Sequence, residues 1–150
     1  MTLFPDAQPL VSCIMPTHNR RLFVPKAIEY FLYQDYPNRE LIIINDSTEP
    51  VSDLIPDNPN IRYLYQDQRH SVGAKRNIAC KNANGEIIIH WDDDDWVGDW
   101  RISYQVKNLL ARQADICGLP RLFFFNPAAN LGWEYINQDK NKILPSVGFS

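Results

Sequence analysis

Glu86-Ile87-Ile88-Ile89-His90-Trp91-Asp92-Asp93-Asp94-Asp95-Trp96 is the stretch that decides the fold. The isoleucine run is β-branched, apolar and of strand length. Four consecutive aspartates follow it after His90 and Trp91. Adjacent carboxylates repel: at ~4 Å and an effective dielectric of ~20, a like-charged pair costs roughly 4 kcal/mol. A free acidic tail would spread that cost over water and ions. Here a strand and a tryptophan flank the acids and anchor them. Fixed, convergent carboxylates suit a hard cation, Mg²⁺ or Mn²⁺. The competing reading is an acidic loop that caps the next helix.

Outward from this stretch, strands alternate with helices. Leu10-Val11-Ser12-Cys13-Ile14-Met15 reads as a strand that Pro16 stops, followed by the polar loop Thr17-His18-Asn19-Arg20-Arg21. A helix follows, with Pro25 in its first turn and Val24, Ile28, Phe31 and Leu32 at helical spacing. Leu41-Ile42-Ile43-Ile44 suits a strand buried on both faces and ends at Asn45-Asp46-Ser47-Thr48. Residues 51–60 hold Pro56 and Pro59 and form a connector with room for one helical turn. Residues 61–65 alternate as a third strand. Residues 71–84 form a helix that stops at Asn84-Gly85. Residues 99–112 form another, with Ile102, Val106, Leu109 and Leu110 on one face. Residues 115–119, 121–125 and 133–136 are further strand candidates, and Phe123-Phe124-Phe125 is expected to be buried.

This alternation predicts an α/β fold, a mostly parallel sheet flanked by helices. Ligands of such sheets bind beyond the carboxyl ends of the strands. Three polar clusters fall there: the segment from Thr17 to Arg20, Asn45-Asp46-Ser47, and the aspartate run. The topology brings them to one edge.

Composition narrows the function. The 150 residues suit one domain, 45% hydrophobic and 22% charged. A net charge of −3 without a basic block disfavours nucleic acid as a partner. No apolar run reaches the ~20 residues of a membrane span. Residues 1–6 show no signal peptide. Cys13, Cys80 and Cys117 form no metal-spaced pair and read as thiols of a reducing, cytoplasmic setting.

The first turn, Met15-Pro16-Thr17-His18-Asn19, has no glycine, so neither a dinucleotide turn nor a P-loop is present. A metal on the aspartates could hold a diphosphate instead. Asp46 could accept from a base or ribose. Lys75 and Arg76 either meet an anionic ligand or form a solvated helix face.

Five pieces now carry a resemblance: residues 11–20, Gln34-Asp35-Tyr36-Pro37, residues 40–47, Gly73-Ala74-Lys75-Arg76-Asn77, and residues 85–95. In this order and spacing the chain resembles the N-terminal, nucleotide-sugar-binding part of a family 2 glycosyltransferase with the GT-A fold. The resemblance implies one domain over residues 1–150, with 9–119 as its core and 120–150 as the incomplete start of an acceptor-side region. It implies a nucleotide-diphosphate sugar donor, often a UDP-sugar, and a divalent metal, Mn²⁺ or Mg²⁺. On the family's D-x-D motif, Asp94 would coordinate the metal, with Asp92 and Asp93 supporting it or holding the ribose. Asp93 with Asp95 is the other frame. Pro16, Thr17 and His18 would line the nucleotide pocket, Asp46 would bind the base, and Arg76 would border the nucleotide. Transfer would be inverting, to an acceptor hydroxyl on a glycan, lipid or protein.

Two departures from the family pattern stand out. Asn45-Asp46 replaces the usual acidic pair, and Ser47-Thr48 replaces Gly-Ser. The chain also ends at Ser150, before the half that supplies the general base, so a truncated fold is expected. Glu134 and Asp139 are the late acids, and neither sits in a base motif. A non-catalytic sugar-nucleotide-binding or interaction module is therefore the rival reading. A sugar nucleotidyltransferase would need a Gly-rich first loop. Trp96, Trp100, Trp133 and Tyr135 are read as packing first and as an acceptor rim second. His90 is expected to be packed or hydrogen-bonded, and neither it nor His70 has a partner at metal spacing. If a missing half normally covers the phenylalanine run, that run is an association surface.

Overall fold

The computed structural model describes residues 8–119, 121–126 and 128–136. The N-terminal residues 1–6, Asp139 and most of the expected acceptor-side region beyond residue 136 lie outside them. The elements run β1 (Val11–Thr17), α1 (Val24–Leu32), β2 (Arg39–Asn45), a 3-10 turn (Ser52–Leu54), β3 (Ile61–Tyr65), α2 (Val72–Asn82), β4 (Ile87–His90), α3 (Arg101–Ala111), β5 (Arg121–Asn126) and β6 (Leu131–Ile136). The first four strands form one sheet in the order β3-β2-β1-β4. Every pairing in it is parallel. β5 and β6 form a separate antiparallel hairpin.

Strand side chains alternate between faces, so β1 and β2 bury two different sets. Val11, Cys13, Met15, Leu41 and Ile43 pack against Val24, Ile28 and Phe31 of α1 and Ile102 and Val106 of α3. Ile14, Ile42 and Ile44 pack against Ala79 of α2 on the other face. The unbroken apolar run of β2 follows from this double covering.

Polar side chains fix where the helices sit. The last carbonyls of α1 lack intrahelical partners. Arg39 supplies them: its Nε donates to Phe31 O at 3.1 Å and its Nη2 to Leu32 O at 2.7 Å. Its guanidinium also lies 5.2 Å from the Phe31 ring centroid. Gln34 is buried and clamps α1 to the approach to α3, donating to Gly98 O at 2.8 Å and accepting from Ile102 N at 3.1 Å. Ser71 caps α2, accepting from Ala74 N at 3.2 Å.

A second polar network ties the opposite end of the sheet. Ser12 Oγ donates to Glu40 Oε1 at 2.6 Å and accepts from Gly85 N at 2.8 Å. Asn84 N and Arg62 Nη2 also donate to Glu40, at 2.7 and 3.0 Å. Burial alone would raise the Glu40 carboxyl, but these donors and the Arg62 charge outweigh it and hold it low. Gly85 is required there, because a Cβ would lie 2.6 Å from Leu10 O and 2.6 Å from Ser12 Oγ.

Some sequence expectations change. β1 continues through Pro16 to Thr17 instead of stopping. Its even-numbered residues bond toward β4, where Trp91 N donates to Ile14 O. The donor that Pro16 lacks therefore faces a position beyond the end of β4, so no ladder bond is lost. Residues 115–119 form no strand, because no described strand lies beside them, and Ile116 is 88% exposed. The phenylalanine run is a strand but is not buried. Its hairpin pairs only with itself among the described residues, leaving Phe123 and Phe125 exposed. Trp96, Trp100 and Trp133 are exposed rather than core packing, and so is His90.

Candidate functional site

The three polar clusters do meet at the C-terminal edge of the sheet. β1 delivers Thr17, β2 delivers Asp46 and β4 delivers the aspartates. Trp91 anchors the acids: it is fully buried, and its Nε1 donates to Ala27 O at 3.1 Å. Arg101 covers it from α3, 5.4 Å from the ring centroid, and donates to His90 O at 2.8 Å.

Asp46 is the hub of the left-hand part of the site. Its side chain has no exposed surface. Lys75 Nζ donates to Oδ1 at 2.7 Å and to Thr17 O at 2.9 Å. His70 N donates to Oδ2 at 2.7 Å. His18 Nδ1 lies 3.0 Å from Oδ1 and 3.1 Å from the Asp46 carbonyl. Both partners are acceptors, so Nδ1 carries a proton. Burial pushes the Asp46 carboxyl up, but the bonds from Lys75, His70 and His18 and the Lys75 charge prevail, leaving it below the usual range. Lys75 is thus an internal counterion, not part of a solvated helix face. The signal was available, because Lys75 and Ala79 are four apart and share the sheet-facing side of α2.

Only one of the four aspartates is buried, and Asp95 is exposed. Asp93 turns inward and is buried, accepting from Thr17 Oγ1 at 2.6 Å. Burial raises its carboxyl above the usual range; Thr17 and Arg20 oppose this, and the charges of Asp94 and Asp92 add to it. Asp92 and Asp94 turn outward, with 44% and 42% of their side-chain surface exposed. Arg76 Nη2 donates to Asp92 Oδ1 at 3.1 Å. Arg20 pairs with Asp94 through Nη1, which also lies 3.8 Å from Asp93 Oδ1. Arg20 is the residue to which sequence reasoning gave no role, although it lies in the first polar loop. Its guanidinium sits 5.7 Å from the Phe23 ring centroid.

This donor set fits a hard divalent cation. It is all oxygen, and two outward carboxylates reach solvent. Among the described residues no three acidic, histidine or cysteine groups form a ready cage. A cation here would take its remaining oxygens from a ligand or water. Arg76 Nε is buried without an acceptor among the described residues, a donor left over beside the acids.

Comparison with known proteins agrees with this architecture. The family model described as "Glycosyl transferase family 2" matches residues 12–145. An uncharacterized glycosyltransferase of Haemophilus influenzae is 30% identical over 107 residues, covering 68% of this chain and 43% of the relative. Among solved structures, the Pyrobaculum calidifontis mannosyltransferase PcManGT, in complex with GDP-Man and Mn²⁺, superposes with a TM-score of 0.63 at 24% identity, over 69% of this chain and 33% of that one. The S. aureus protein TarS, in complex with UDP-GlcNAc, gives 0.64 at 22% identity, over 69% of this chain and 32% of that one. These two likenesses establish the GT-A fold. The chain spans less than half the length of each of these proteins.

Proposed function

Because the chain belongs to glycosyl transferase family 2, we propose that it is the donor-binding part of an inverting glycosyltransferase that takes a nucleotide-diphosphate sugar, a UDP-sugar first among the candidates. The observation that carries the reading is the inward turn of Asp93 alone among the four acids. Asp93 is spent on Thr17, while Asp92 and Asp94 face outward beyond the sheet edge. That favours the frame Asp92-x-Asp94 over Asp93-x-Asp95, with Asp94 as the metal ligand.

A bound Mn²⁺ or Mg²⁺ would neutralise charge on the departing nucleoside diphosphate. The chain's own residues do the rest. Pro16, Thr17 and His18 line the base side of the pocket. Asp46 orients His18 through Nδ1 and anchors the backbone at His70, so it shapes the pocket through these neighbours. Arg76 brings positive charge to the diphosphate side. The acceptor is a hydroxyl on a glycan, lipid or protein. Glu134 pairs with Arg121 at 3.3 Å in the hairpin and is not assigned as the base. No helix among the described residues is long and apolar enough to cross a membrane. The free thiols Cys13, Cys80 and Cys117 suit the cytoplasm, the location proposed.

Calorimetric titration of UDP, GDP and dTDP, with and without Mn²⁺, tests this. Binding is expected to need Mn²⁺ and to disappear in Asp94→Ala. Equal affinity in that variant would sink the metal assignment. Nucleoside diphosphate release by the whole protein then tests transfer.

A further inference from the structure

Arg20 and Arg76 each occupy an outward carboxylate of the acidic run, Arg20 on Asp94 and Arg76 on Asp92. Neither contact is enclosed. The Arg20 side chain keeps 43% of its surface and the Arg76 side chain 32%. Both guanidiniums retain donors beyond the one engaged, and Arg76 Nε is buried with no acceptor among the described residues. Arg20 rests beside the Phe23 ring, and its second acidic neighbour, Asp93, stays in place through Thr17.

A divalent cation and a guanidinium compete for the same carboxylate oxygen. From these contacts we infer that Arg20 and Arg76 are exchange counterions: they neutralise Asp94 and Asp92 until a metal-bound diphosphate arrives, then pass to its phosphate oxygens. The inference rests on the metal-diphosphate reading above and adds a partner swap to it. The same side chains then oppose the bare cation and favour the cation with its nucleotide. Metal alone binds weakly because it must displace a guanidinium. Metal with nucleotide binds well because the displaced guanidinium finds a phosphate, for which its planar fork is suited. The coupling is reciprocal, so nucleotide raises metal affinity by the factor that metal raises nucleotide affinity.

The test uses Mn²⁺ alone, followed by the paramagnetic resonance signal of the free ion, and UDP or GDP titrated calorimetrically in saturating Mn²⁺. Arg20→Gln is expected to bind Mn²⁺ alone about fivefold more tightly, the factor matching an exposed ion pair of ~1 kcal/mol. The same variant is expected to bind the nucleotide about fivefold or more weakly. Arg76→Gln should show the same opposed pair of changes, and Arg20→Lys should lie between wild type and Arg20→Gln. A merely structural role would weaken both affinities together. A fall in both, or an unchanged Mn²⁺ affinity in both glutamine variants, overturns the exchange while leaving the metal site standing. No Mn²⁺ binding by wild type and variants, with nucleotide present or absent, overturns the metal reading and the exchange with it.

Discussion

Thr17 Oγ1 donates to Asp93 Oδ2 at 2.6 Å, across 76 positions of sequence. The end of the first strand thereby chooses which carboxylate of the acidic run faces the protein. Neutralising the acids one at a time should expose that choice. Asp92→Asn and Asp94→Asn are expected to lose most of the Mn²⁺-dependent nucleotide binding, and Asp93→Asn to lose least of the three. Asp93 has a raised carboxyl, so ionising it costs stability as the pH climbs from the unfolded to the folded value. Asp93→Asn should therefore be more stable than wild type at neutral pH by urea denaturation. Loss of binding in Asp93→Asn with retention in Asp92→Asn would shift the frame to Asp93-x-Asp95.

The buried pair of Lys75 and Asp46 gives a pH-dependent prediction. Lys75→Met leaves the Asp46 carboxylate buried without its cation, which should cost about 3–5 kcal/mol near pH 7. Asp46 titrates below its ordinary value in the fold. Its contribution is complete above the unfolded pKa of ~3.9 and is lost as the pH falls through the lower folded value. The gap between wild type and Lys75→Met should therefore narrow below about pH 4. Denaturation curves at several pH values would show it, and a gap independent of pH would remove Asp46 as the cause.

Gly85 makes a prediction at the far end of the sheet. A Cβ there would meet Leu10 O at 2.6 Å and Ser12 N at 2.7 Å, both backbone atoms of the neighbouring strand or its approach. Gly85→Ala should cost about 1–3 kcal/mol, the range for a forced overpacking. The folded fraction should keep its nucleotide affinity, because the substitution lies at the opposite end of β4 from the aspartates. A stability change within about 0.5 kcal/mol would mean that β4 moves aside freely.

The three thiols should react in an order set by burial. Cys80 is exposed, Cys117 is partly exposed and Cys13 is buried. Burial pushes the Cys13 thiol up to about 12, with little thiolate left to react. Maleimide labelling followed by mass spectrometry should modify Cys80 first and Cys13 only when the sheet opens. Rapid labelling of Cys13 in the native protein would contradict its place in the core.

Much of this was legible in residue patterns, and what was not has identifiable physics. The unbroken apolar run of residues 41–44 announced a doubly covered strand, and β2 is one. The clusters at Thr17, Asp46 and Asp92 met as the parallel topology required. Pro16 misled because a proline is excluded from a strand only where its missing donor would be used. That depends on where β4 ends, a relation across the sheet. The Phe123-Phe124-Phe125 run misled for a similar reason, since hydrophobicity states a preference for burial but supplies no covering layer. Gln34 and Arg39 were given no structural role from the sequence, yet their work is to satisfy backbone groups of α1 and α3. Nothing local to either residue shows which carbonyls will be left unpaired.

The sheet order also leaves β4 at the margin of the sheet among the described residues. A margin strand can recruit foreign backbone and seed fibrillar growth. β4 is poorly suited to that. It is four residues long, the Arg101 guanidinium occupies the His90 carbonyl, and four carboxylates follow Trp91, the residue just after it. An incoming strand would lose a bond at one end and meet like charge if it, too, were acidic. The feature that prepares the chain for a cation thus also discourages copies of it from zipping together.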